Sequence, residues 1–194
     1  VETKETPVTD ATDTHRTRTA ELTATARAHL AKGEWEPAVE IYKAVIALNE
    51  EAGDLGGKAE ATNNIASVHL ALMNWQEALS QATEARAFYQ EAGDGAGEAV
   101  VLNNIAAAYD GMGDWQQAVG IYEEALTLRQ SLGDQEGEAK TLRNLAILFA
   151  QHGDRNRAKA TLSRALGVAQ RAKSRAVLAE IRKTMSQLPR LGRR

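Results

Sequence analysis

Carboxamides recur in this chain at a fixed interval, inside stretches that read as helix. Asn63 and Asn64 stand in "TNNIA", Asn103 and Asn104 in "LNNIA", and Asn144 in "LRNLA", each stretch forty residues after the last. Asparagine costs about 0.5 kcal/mol or more against alanine in a helix, because its amide competes for backbone hydrogen bonds. A carboxamide also offers both a donor and an acceptor, so it can pair with a peptide N–H or C=O, or bond a neighbouring helix. Both uses are open for these residues. Other reactive types are sparse. The histidines are His15, His29, His69 and His152, without the further ordered ligands a metal site needs. Glu123 and Glu124 read as a solvated helix face, and "GDGAG" at 93–97 has no Lys-Ser/Thr after it, so no phosphate loop and no cofactor is expected. No nucleophile, base and orienting group form a set, and an enzyme is not expected.

The chain has 194 residues and no cysteine, which removes disulfides, thiolate metal sites and a cysteine nucleophile. That composition fits a reducing, cytoplasmic compartment. No apolar run approaches the roughly 18 residues of a membrane span, and no signal peptide is visible. Val1 in place of Met points to an excised or processed piece. The net charge of −3 hides a split: residues 155–194 hold twelve Lys or Arg and one acid, whereas residues 1–154 hold eleven bases and twenty-five acids. Arg171, Lys173, Arg175, Arg182 and Lys183 form a possible docking end. It could bind the acidic units of a second copy, head to tail. Nucleic acid or an acidic membrane surface is a lesser alternative.

The elements that must position these residues repeat. Trp35, Trp75 and Trp115 lie forty apart, with Arg155 in the next place, and Ala38, Ala78, Ala118 and Ala158 keep the step. "GD" recurs at 53–54, 93–94 and 133–134, followed by Gly57, Gly97 and Gly137. Several residue classes sharing one long period mean a stacked array whose units cannot bury their apolar faces alone. Each unit reads as two helices. Leu102, Ile105, Ala106 and Tyr109 make one helical stripe, Gly113 a left-handed stop, and Asp114 an N-cap with Gln117. Asn74 with Glu77 reads as a similar pair. Helices are predicted near 17–32, 35–52, 55–72, 75–92, 95–112, 115–132, 135–152 and 155–172. A ninth, near 174–188, is expected to cap the last face with Val177, Leu178, Ile181, Met185 and Leu188. The expected organisation is a tail over 1–14, units at about 15–53, 54–93, 94–133 and 134–173, a capping helix over 174–189 and a basic tail at 190–194.

"LNNIAAAYDGMGDWQQAVGIYEEAL" resembles a tetratricopeptide repeat: Ala106, Tyr109, Gly113, Ala118, Tyr122 and Ala125 fall at that family's signature spacings. The resemblance covers roughly residues 17–172. The period is forty residues instead of 34, and the family's closing proline is absent at Gln90 and Gln130. The texture is similar to the long-repeat subgroup of kinesin light chains, the Pins/LGN adaptors and bacterial MalT-like or Rap-like regulators. In the first unit Thr23 and Ala24 replace the Asn pair.

The resemblance implies an all-α, right-handed superhelical solenoid that holds a protein or peptide segment in its concave groove. With the packed stripe facing inward, Asn63, Asn64, Asn103, Asn104, Arg143 and Asn144 project away as rungs, with Lys140 beside them. In the resembled family such asparagines grip the backbone of an extended partner. On this reading alanine in their place leaves the fold intact. Glu60 and Asp110 make the early groove acidic, and Lys140 and Arg143 the later groove basic. The alternatives are a scaffold self-assembling through its unlike ends, and a regulatory domain of a larger protein with an anion-binding basic end. The family's carboxylate clamp is disfavoured, because Thr23 holds the place of its first-unit lysine.

Overall fold

The computed structural model of the chain describes residues 8–188, with side chains from residue 13 onward. Its elements, in chain order, are α1 (Val8–Ala31), α2 (Trp35–Glu51), α3 (Leu55–Ala71), α4 (Trp75–Glu91), α5 (Gly95–Gly111), α6 (Trp115–Ser131), α7 (Gln135–Gln151), α8 (Arg155–Arg171) and α9 (Arg175–Gln187). The described residues are an all-α helical-repeat solenoid, and α2 to α9 start and stop within about a residue of the sequence expectation. Only α1 differs: it begins at Val8, inside the stretch expected to be a tail. Residues 1–14 are rich in threonine and charge, a composition that weighs toward disorder. Further along α1, Thr17 Oγ1 donates to the Asp13 carbonyl at 2.8 Å and Thr19 Oγ1 to that of His15 at 3.1 Å. The basic tail at 190–194 lies outside the described residues.

The turns follow from a few residues. The C-termini of α1 to α8 each close with a left-handed residue, Gly53 for example, whose N–H bonds the Glu50 carbonyl at 3.1 Å while the Asp54 N–H bonds that of Asn49 at 2.8 Å. The same aspartate then caps the next helix, accepting from the Gly57 N–H at 2.9 Å. Asp94, Asp114, Asp134 and Asp154 repeat this, and Ser174 caps α9. Asn74 does not: α4 starts without a side-chain cap bond. Two left-handed positions lack glycine, Met73 (φ 60°) and Lys173 (φ 54°), and Met73 is 70% exposed, so no packing offsets its strain.

Gly57, Gly97 and Gly137 have a packing role. A Cβ on Gly97 would lie 2.2 Å from the Tyr89 ring, one on Gly57 2.8 Å from the Asn49 carboxamide, and one on Gly137 1.8 Å from the Arg129 guanidinium. A large residue eight positions earlier fills each place. In the last unit Ala169 is small and the partner position is Val177, fully buried. The glutamines at the missing prolines also work between helices: Gln90 donates to Glu98 at 2.6 Å, and Gln130 to Glu138 at 2.7 Å.

Buried alanines let the helices approach closely, and Leu102, Leu142, Leu162 and Ile181 fill the space between units. Helix α9 closes the stack with Val177, Ile181 and Leu188 in the core, whereas Met185, expected on that face, is 40% exposed. From α3 onward the odd-numbered helices touch one another, α3 on α5, α5 on α7 and α7 on α9, and the even-numbered ones do not pack in this way. In a curved two-layer stack the layer whose members come together is the inner one. The odd helices therefore form the concave wall. Helix α1 stands off from α3. No helix among the described residues is long and apolar enough to cross a membrane.

Candidate functional site: the concave face

The asparagines do not all present themselves to a partner. Asn63 is 7% exposed, and its Oδ1 accepts from Asn104 Nδ2 at 2.8 Å. The same Nδ2 lies 3.0 Å from Ser67 Oγ, so Asn104 ties α5 to α3. Asn103 Nδ2 donates to the Ala99 carbonyl at 2.9 Å, and its Oδ1 is buried without a partner. Arg143 Nε donates to Thr184 Oγ1 at 2.8 Å, joining α7 to α9, and Arg143 Nη1 reaches Asn144 Oδ1 at 3.4 Å. The repeat therefore uses one register twice, as a wall surface and as a bond between successive inner helices. That corrects the expectation that alanine would leave the fold intact: truncating Asn104 strands the buried Asn63 oxygen.

Three expected rungs do share one cleft. Asn103, Asn104 and Asn144 line a hollow of about 420 Å³ with Leu70, Ala107, Ile147 and the carboxylate of Asp110. Tyr122 also lines it; burial, then the Asp110 charge, hold its phenol well above the usual range. Asn64 belongs to a different cleft, between α1 and α3. Lys140 is exposed and pairs with Glu136 at 2.7 Å.

The groove charges expected from sequence are present, and each has an internal partner. Asp110 Oδ1 meets His152 Nε2 at 2.7 Å, and that imidazole stacks on Trp115 with centroids 5.3 Å apart. Glu60 faces Arg27 at 3.5 Å. In the sequence Asp110 reads as an acidic groove residue and His152 as a histidine without the ligands of a metal site. Their pairing spans two units, and nothing local in the sequence marks it. His29 likewise reaches Glu34 at 2.5 Å, while His69 Nδ1 is buried without a partner. No group of three His, Cys, Asp or Glu among the described residues is placed to hold a metal ion.

At the other end all nine Lys and Arg between 155 and 188 are exposed. Arg157 pairs with Asp154 at 2.5 Å and Arg164 with Glu138 at 3.4 Å. Arg171, Lys173 and Arg175 lie together in the α8–α9 turn without an acidic partner among the described residues, and Arg182 and Lys183 follow on α9.

A stack of helix pairs with an alanine-rich seam and a polar inner wall is a helical-repeat protein. The chain belongs to the tetratricopeptide repeat family: one family model, described as tetratricopeptide repeat, matches residues 57–131 and 97–171, and a second of the same description matches 22–55. Among solved structures it is similar to BtubC (BKLC) from P. vanneervenii, with 25% identity over 80% of this chain and 65% of that one and a TM-score of 0.67. It is similar in fold to a Podosopora anserina putative kinesin light chain, at 21% identity over 81% and 77% of the chains and a TM-score of 0.63. A third fold neighbour is the Rap conjugation gene regulator of the plasmid pLS20 in complex with the Phr* peptide, at 14% identity over 84% and 46% and a TM-score of 0.67. The chain thus spans just under two thirds of the first of these proteins and under half of the third. No curated protein matches it.

Proposed function

We propose that the chain is a protein-interaction module that holds an extended partner segment against its concave face. The observation that carries this reading is the α3–α5–α7 cleft, where Asn103, Asn104 and Asn144 surround an apolar floor of Leu70, Ala107 and Ile147. Asn104 spends its amide N–H on α3 and keeps its oxygen, while Asn144 keeps its Nδ2. One acceptor and one donor then remain on neighbouring helices, the complement of a peptide unit. Family membership and the peptide-bound state of a fold neighbour support the same reading.

Selection of linear peptides from a random library tests it. Peptides retained by the wild type are expected to lose most binding to Ile147→Arg and to Asn144→Ala, with both variants keeping their helical circular dichroism. Ligands that bind both variants as well as the wild type would place recognition off this wall. A second reading, docking of the basic end on an acidic surface, rests on the unpaired Arg171, Lys173 and Arg175 turn and on the charge split along the chain.

A further inference from the structure

The two ends of helix α3's wall differ in a way that points to a ligand. On the α5 side Asn104 bonds Asn63 and Ser67 and closes the junction. One repeat earlier the same register sets Asn64 opposite Thr23 and Arg27, and no such bond forms. Helix α1 stands off, and a cleft of about 360 Å³ opens between α1 and α3. Asn49 of α2 lines this cleft; it is 2% exposed, and its carboxamide has no hydrogen-bond partner among the described residues. A carboxamide that is otherwise packed and opens onto a cleft offers its donor and acceptor to a group entering there.

The lining says which group. Ala20, Ala24, Ala61 and Val45 make apolar walls, and Asp54 and Glu60 bring two carboxylates against the single cation Arg27. That cation is already engaged, by Glu60 at 3.5 Å. A cleft with alanine walls, a carboxamide among its lining residues and carboxylates about it suits a methylene stem with a cationic head. The acidic field of residues 1–154, eleven bases against twenty-five acids, draws the same sign of charge. We infer that the α1–α3 cleft is a subsite for one lysine or arginine side chain of the segment held on the concave wall, an inference that rests on the groove reading above. The head donates to Asn49 Oδ1 and the stem lies along the alanines. This fixes the register of the segment, with its basic residue at the α1 end and its backbone at Asn104 and Asn144.

Blocked tripeptides with a central arginine, glutamate or norleucine test it, read by the side-chain amide NMR signals of the assigned protein. The arginine peptide is expected to move the Asn49 and Asn64 signals, and the other two to leave them in place. Ala24→Leu fills the cleft from an exposed position and is expected to weaken the response about tenfold or more, with an unchanged melting temperature. Glu60→Gln, which removes one carboxylate and leaves the packing, is expected to weaken it as well. An equal response to all three peptides overturns the charge selection. Shifts at Asn103 and Asn144 without shifts at Asn49 overturn the subsite and leave the groove reading standing. No shift anywhere at millimolar peptide also overturns the subsite, while the groove reading keeps its own library test.

Discussion

A residue's titration reports how tightly the units are stacked. Tyr89 lies between α4 and α5, and burial, helped by the Glu60 and Asp94 charges, pushes its phenol up to about 12 from an ordinary value of 10.0. The folded protein therefore keeps this proton where the unfolded chain has released it. Below pH 10 both states hold the proton and the group does not alter stability. Above that value the unfolded chain loses it first, so stability falls as pH rises and levels off near the folded value. The loss on this group is roughly 2–3 kcal/mol by pH 12, at about 1.4 kcal/mol per unit. Tyr89→Phe is expected to match the wild type in urea unfolding at pH 7 and to exceed it progressively between pH 10 and 12. Parallel curves for the two proteins throughout would mean that the hydroxyl is as free in the fold as outside it.

At the scale of the element, the repeat is defined by a pairing between a large side chain late in one helix and a glycine early in the next. Tyr89 with Gly97, Arg129 with Gly137 and Asn49 with Gly57 share this spacing, and Ala169 with Val177 inverts it. Gly97→Ala is expected to cost about 1–3 kcal/mol, the range for overpacking, although alanine is the better helix former. Gly120→Ala is the control: it sits inside α6 with nothing within 4 Å of its added carbon, so it is expected to gain up to about 1 kcal/mol. Chemical denaturation of both variants decides the matter, and a stabilising Gly97→Ala would show that the Tyr89 ring moves aside without cost.

For the whole molecule the governing feature is the charge split. Its total is −3, yet the described part of residues 155–188 carries nine bases and one acid, while the preceding units are acidic. Core packing of α9 explains how the array ends, with Val177 and Ile181 fully buried, and leaves the exposed cations unexplained. Contact between such unlike ends is heterologous and builds chains or rings. Light scattering is expected to show concentration-dependent association at low salt that dissolves toward 1 M, where the Debye length falls from about 10 Å at 0.1 M to about 3 Å. Reversing Arg171, Lys173 and Arg175 to Glu is expected to abolish it. A monomer at low salt and high concentration would leave the basic end to an outside acidic surface or to water.

The helices, their order and the family were legible in the chain because they depend on local signals. Asp94 and Gly97 state a cap, Gly93 a left-handed stop, and Leu102, Ile105 and Ala106 a stripe, all within a turn or two of one another. The forty-residue period did the rest, since a unit that cannot bury its face alone must stack. The start of α1 was missed because threonine and charge weigh toward disorder in composition. What the asparagines do was decided only by tertiary structure. Periodicity fixes the direction of Asn63, Asn64, Asn103 and Asn104 to within a helical face, but whether a carboxamide meets a partner or its neighbour depends on how near the next inner helix lies. Asn104 finds Asn63 at 2.8 Å, and Asn64, one unit earlier in the same register, faces an open cleft. Asn49 could be found only there, because its place in the lining of that cleft depends on how α1, α2 and α3 come together.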